Sequence, residues 1–479
     1  MLSLLLEWRH ARKLAIALLA ILFVLTGFYV MNSKNSLLVA QTKLMEDSDT
    51  AYKSDGSSGL KVGKYADRIQ QVTSPKGIKA WLVEDHSIPM MALQFAFEGG
   101  SSQDPKGKEG LANFLTAMLD EGAGDIKSKK FQALLDEMAI QMEFSASRDA
   151  FDGNFKTLTR NRDKALDLMY LALNKPRFDK KAMQRMRAQL LTGLKFDAKS
   201  PNKIATRAWF EAAYGDHPYG RPTKGTEESL KSITAGDLEA YRHRIFARNT
   251  LKIGVVGDIT AKELAVALDR LFGDLPQKAE LVPVPEITQL KGPVRKVIHM
   301  DNPQSVAQFG HQGIKREDKD FIPAYVLNYI LGGGGFASRL MEQVREKRGL
   351  AYSVYSYLYP LDHGAMFLGG VATKNDKLEE SLEVITSELK RMAEKGPTKE
   401  ELENARRYLT GSYPLRFDTS SKIASQLLWI QMDNLGIDYI DTRNRKIQAV
   451  TLEQIKSVAK RLLHPERLII TIVGNPKSG

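Results

Sequence analysis

ITAGDLEAYRHRIFARNTLKIGVVGD, residues 233–258, lies without a gap over VTLEQIKSVAKRLLHPERLIITIVGN, residues 450–475, at a constant offset of 450 − 233 = 217. Each copy opens with a threonine able to cap a helix, runs through an amphipathic helical pattern and a polar turn, and ends in an apolar strand. Further back, NRDKALDLMYLAL (161–173) and NDKLEESLEVITSEL (375–389) occupy similar places in their copies. Two chance helix–strand units would not stay in register over 26 residues, so the chain reads as two similar halves. We place them at 61–275 and 297–479, joined by a proline-rich linker over 276–296. Hairpin-like strands come first in each half, then long helical patterns, then a final strand. That order predicts an α+β fold in which each half packs helices on a mostly antiparallel sheet. Near the start of the first half, IKAWLVE and MMALQFAFE alternate as two strands around a turn.

Length and composition agree with this division. A chain of 479 residues exceeds one ordinary hydrophobic core. With 43% hydrophobic and 26% charged residues it is a folded, globular sequence. The net charge of 69 − 57 = +12 is spread through mixed-sign helices without a basic run, which argues against a nucleic-acid partner. Cysteine is absent, so disulfides, thiolate nucleophiles and cysteine-ligated metals are excluded.

The amino terminus carries a separate signal. Residues 14–33, LAIALLAILFVLTGFYVMNS, hold no charge and are long enough to span a hydrocarbon core of roughly 30 Å. Arg9, Arg12 and Lys13 precede the stretch, so residues 1–13 are expected in the cytoplasm. Residues 34–60 then form a polar tether, and the remainder faces the periplasm from the inner membrane. A cleaved signal peptide, releasing a soluble periplasmic protein, is the competing reading; no small-x-small site closes the apolar run.

GLANFLTAMLDEGAG (110–124) sets Leu111, Phe114, Leu115, Met118 and Leu119 on one helical face, leaving Asn113, Thr116 and Ala117 on the other. The segment resembles the metal-binding helix of the inverted zinc peptidases of the pitrilysin, insulinase and mitochondrial-processing-peptidase family. Their H-x-x-E-H motif supplies two zinc-binding imidazoles and a glutamate that activates water. Position by position, Asn113 stands at the first histidine, Thr116 at the glutamate and Ala117 at the second histidine. The resemblance implies a third ligand, a glutamate in the helix matching KKAMQRMRAQLLTGLKF, but no carboxylate occurs between Asp179 and Asp197. None of the eight histidines pairs with another at i, i+3 or i, i+4, and a lone one such as His217 reads as structural. No metal is expected in this chain.

The likeness extends through EGGSSQDPKGKEGLANFL (98–115), YGDHPYGRPTKGTEESLKSIT (214–234) and NYILGGGGFASRLMEQVREKRGLAYSVYSYL (328–358). No G-K-[ST] follows the four glycines 332–335, which makes a phosphate loop a poor reading. They are expected to end one helix and lead into the next, which begins around Phe336 and stops near Gly349. AYSVYSYLYPL then alternates as a strand, so Arg345 and Tyr352 flank a helix-to-strand corner. Family peptidases carry an Arg and a Tyr at this spacing. The resemblance implies that the Tyr donates to the oxyanion and the Arg holds the substrate backbone, facing zinc across a closed chamber. One preorganised donor of this kind is worth roughly 2.7–4 kcal/mol.

In some family members half-size chains pair, one carrying H-x-x-E-H and its partner the Arg and Tyr. By resemblance this chain is the second kind: inactive alone, and lending Arg345 and Tyr352 to a homologous zinc-bearing subunit that cleaves peptides or unfolded segments. EGGSSQ is expected to offer a second, weaker edge for an extended substrate. The alternative is an inert structural or peptide-holding scaffold of the same fold.

Overall fold

Alternating apolar runs become strands throughout the computed structural model, which describes residues 64–476. β1 Gln70–Thr73, β2 Lys79–Glu84 and β3 Met90–Glu98 come first, followed by a short pair, β4 Gly122–Ala123 with β5 Ile126–Lys127. β6 Gln141–Ala146, β7 Ala150–Leu158 and β8 Lys252–Gly257 complete a six-stranded sheet in the order β1-β2-β8-β3-β7-β6. β9 Val294–His299, β10 Gln304–Gln312, β11 Ala351–Leu361, β12 Gly364–Lys374 and β13 Ile469–Gly474 form a five-stranded sheet ordered β11-β12-β10-β13-β9. Helices and a large apolar core accompany each sheet, so the molecule is α+β with two sheet-bearing halves.

The shifted copies found in the sequence fold alike. Helix Ala235–Ile245 with β8 and helix Leu452–Leu462 with β13 have ends that coincide after adding 217, as 452 − 235 and 474 − 257 both show. Both helices open on a threonine capping box, Thr234 with Asp237 and Thr451 with Gln454. β8 lies parallel to β2 and antiparallel to β3; β13 lies parallel to β9 and antiparallel to β10. This corrects the expected pairing of β2 with β3 around a turn, because β8 inserts between them. The physical reason is burial: Ile253 through Gly257 are all buried, and such a strand belongs in mid-sheet.

The open face of each sheet is covered from the opposite half. Helix Pro201–Tyr214 lies on β10 and β13, where Trp209 Nε1 donates to the Ile469 carbonyl (2.9 Å) and Thr471 Oγ1 to that of Ala205 (2.8 Å). Reciprocally, helix Ser420–Met432 lies on β3 and β8, and Gln431 Nε2 donates to the Ile253 carbonyl (2.9 Å). Glycines allow the close approach: a Cβ on Gly254 would sit 2.9 Å from Leu427 Cβ, and one on Gly310 would sit 3.0 Å from the Trp209 indole.

Two further expectations change. The inner-membrane, periplasm-facing location is corrected, because among the described residues no helix is long and apolar enough to cross a membrane. The helices present are two-faced, as in Leu452–Leu462, which buries Ile455, Val458, Ala459 and Leu462 and exposes its lysines. The apolar stretch 14–33 and its flanks 1–13 and 34–60 lie outside the described residues. EGGSSQ, expected as a strand edge, instead ends β3 and turns into the buried 3₁₀ turn Gly100–Gln103. Its main chain is already spent, with the Ser101 N–H on the Ser147 carbonyl (2.8 Å) and that of Ser102 on Arg148 (2.9 Å).

Candidate functional site

Asp104 builds the start of the degenerate motif helix. Its buried carboxylate accepts from the Gly110 N–H (2.8 Å) and the Ala112 N–H (2.9 Å), satisfying donors that a helix start leaves open. Burial pushes this carboxyl up to about 7, against the pull of those N–H groups. Gly110 has φ +88, and a Cβ there would lie 2.7 Å from the Lys224 carbonyl carbon, so the turn admits only glycine. The helix itself covers Leu111–Thr116, shorter than the apolar stripe suggested, although Met118 and Leu119 remain buried beyond its end.

At the polar face the chemistry is that of a closed surface. Thr116 Oγ1 donates back to the Asn113 carbonyl (2.8 Å), and Ala117 caps the helix with a methyl group. From helix Lys180–Asp197, the Arg187 guanidinium lies 5.3 Å from the centre of the Phe114 ring. Arg187 also donates through Nε to the Leu230 carbonyl (2.9 Å) and through Nη2 to that of Ile233. An amide, a hydroxyl occupied by its own backbone and a methyl do not fit zinc. Among the described residues no three His, Asp or Glu side chains gather as a metal-holding group. His217 is structural: Nδ1 accepts from the Tyr219 N–H (3.1 Å) and Nε2 donates to the Pro285 carbonyl (2.9 Å).

The corner of the second half is wound differently from the expected helix. Helix Phe321–Asn328 passes into a π-helical turn, Tyr329–Gly333, then a 3₁₀ turn, Gly335–Ala337, then a second π segment, Met341–Glu346. Packing explains the first irregularity: a Cβ on Gly332 would lie 2.6 Å from the Ser356 nitrogen on β11. Gly335 and Gly349 take φ of +58 and +62, the second ending the helical segment as expected.

Arg345 lies in the second π segment and Tyr352 on β11, so both flank one corner, while Asn113, Thr116 and Ala117 belong to the first half. Arg345 is exposed and its guanidinium sits 4.9 Å from the centre of the Phe336 ring. Tyr352 is the extra residue of a β-bulge: Ala351 faces Thr373 and Ser353 faces Ala372, leaving Tyr352 without a partner. It is 57% exposed and lines a cavity of about 360 Å³ with Pro303, Gln304, Lys374, Asn375 and Asp376. Sequence reading gave Phe336 only as a helix start and passed over Asp104; an aromatic directly after four glycines, and an Asp-Pro ahead of Gly110, were the available signals.

Comparison with known proteins identifies the family. Residues 79–227 match the family profile described as insulinase (peptidase family M16), and residues 232–409 match the peptidase M16 inactive domain. A Helicobacter pylori protein named "Non-peptidase homolog YmxG" is 30% identical over 399 residues, covering 82% of this chain and 91% of that one. A Bacillus subtilis protein named "Uncharacterized zinc protease YmxG" is 26% identical, covering 82% of this chain and 95% of its own length. The crystal structure of a peptidase M16 inactive domain from Pseudomonas fluorescens superposes with a TM-score of 0.81 at 28% identity, covering 86% of this chain and 98% of that one. With its motif helix stripped of ligands and both halves of the fold in place, this chain belongs to the insulinase-type peptidase family, M16.

Proposed function

We propose that this chain is the zinc-free subunit of a two-chain peptidase, paired with a homologous subunit that carries an intact H-x-x-E-H helix. The observation that carries the reading is an asymmetry. The motif helix has no group for metal or proton chemistry, whereas Arg345 and Tyr352 stand exposed at one corner with a cavity beside the phenol. In the assembled enzyme Tyr352 donates to the oxyanion forming on the scissile carbonyl, and Arg345 donates to the backbone carbonyls of the bound peptide. The zinc and the general base come from the partner. Substrates are peptides or unfolded segments, extended enough to add as a strand to the partner's sheet edge.

Co-expression with an H-x-x-E-H relative tests this. Peptidase activity should require both chains. Tyr352→Phe should lower kcat by roughly 10²–10³-fold, and Arg345→Ala should chiefly raise KM, both without loss of assembly. Full activity of the zinc-bearing chain by itself, or indifference to both substitutions, would sink the proposal. The second outcome favours an inert scaffold, a reading supported by the name "Non-peptidase homolog" given to the Helicobacter pylori relative.

A further inference from the structure

We propose that Phe336 is a positioning residue for Arg345, the two forming one contact for the main chain of an extended peptide. This rests on the role given to Arg345 above. Residues 339–348 carry four basic side chains, and three are committed elsewhere. Arg339 forks onto the Glu401 carboxylate (2.5 and 2.7 Å), Lys347 pairs with Glu342 (2.7 Å), and Arg348 donates to the Gln343 carbonyl (2.7 Å). Among the described residues Arg345 has no carboxylate or carbonyl partner; what it has is the Phe336 ring at 4.9 Å.

Phe336 is 65% exposed, a large apolar side chain left out of the core. The 3₁₀ turn Gly335–Ala337 holds it there, closed by the Ala337 N–H on the Gly334 carbonyl (3.2 Å) and by Ser338 Oγ on that of Gly335 (2.7 Å). The π winding of Met341–Glu346, seen in the Lys347 N–H bonding five residues back to the Glu342 carbonyl (2.9 Å), turns Arg345 away from the direction an α-helix would give it. A guanidinium whose partner is a ring spends none of its N–H donors on an acceptor, so they remain free for a ligand. With donors and no acceptor, such a group recognises backbone carbonyls or a carboxylate. The ring also limits the rotamers of a long side chain, so less freedom remains to be lost when peptide binds.

The test uses the assembled two-chain enzyme with a fluorogenic extended peptide, reading KM and kcat separately. Phe336→Ala should raise KM about two- to fivefold with kcat unchanged. Phe336→Trp should restore KM, and Phe336→Ala should add nothing in the Arg345→Ala background. Its unfolding midpoint should match the parent, since the ring is exposed. Three results overturn the positioning role and leave Arg345's own role standing: an additive loss in the double variant, a normal KM in Phe336→Ala beside an impaired Arg345→Ala, or a lowered midpoint. Failure to assemble, or an Arg345→Ala enzyme with normal KM, overturns both.

Discussion

His311 is buried against the Phe367 ring, 5.0 Å between centres, with Nδ1 2.8 Å from the Gln312 carbonyl and Nε2 accepting from the His464 N–H (3.3 Å). Burial holds its imidazole down to about 4. The unfolded chain, with an ordinary value of about 6.5, takes up that proton first, so His311 contributes stability above pH ~6.5 that is lost on acidification toward ~4. Urea unfolding across this window should show the parent losing stability faster than His311→Gln as pH falls. His86 works in the opposite sense. It is exposed, and its bond to Asp258 (2.6 Å) raises its pKa, so its contribution is full below pH ~6.5 and is lost as pH rises through the folded value. His86→Ala should therefore remove a stabilisation present at low pH and leave the alkaline side unchanged. At this scale residue type reads directly: the amide of Asn113, the hydroxyl of Thr116 and the methyl of Ala117 are not the imidazole and carboxylate groups of a zinc site. The sequence was silent about the contact between Phe336 and Arg345, which is made only after the chain turns.

Elements were legible where their signals are local. β11 spans the AYSVYSYLYPL segment read as a strand, and both repeated helices begin at the threonines read as caps. Two features were not legible. The first π turn answers to close packing of Gly332 on β11 and not to a periodicity, and β8 joins its sheet through pairings made far along the chain. Close packing also makes a prediction. A Cβ on Gly254 would press 2.5 Å from the Ala424 carbonyl oxygen and 2.9 Å from Leu427 Cβ, so Gly254→Ala should cost about 1–3 kcal/mol in urea unfolding.

Across the whole molecule the repeat announced two halves but concealed that they trade helices. Trp209 is fully buried where helix Pro201–Tyr214 crosses onto the second sheet, and its removal should be felt by both halves. Trp209→Ala is expected to lower stability by about 3–5 kcal/mol. Intrinsic fluorescence and circular dichroism should still report one shared transition, since each sheet has one face covered only by a helix of the other half. A fragment ending at Leu275 should expose apolar surface and bind a hydrophobic dye, and adding the remaining chain should abolish that binding.

The exchange also orders events during synthesis. Between Gly257, where β8 ends, and Ser420, where its covering helix begins, 420 − 257 = 163 residues must be added. At about 5–20 residues per second, the nascent first sheet waits roughly 8–33 s with a bare apolar face. Ribosome-bound chains stalled within that interval should be captured by chaperones, and capture should cease once Met432 has cleared the exit tunnel.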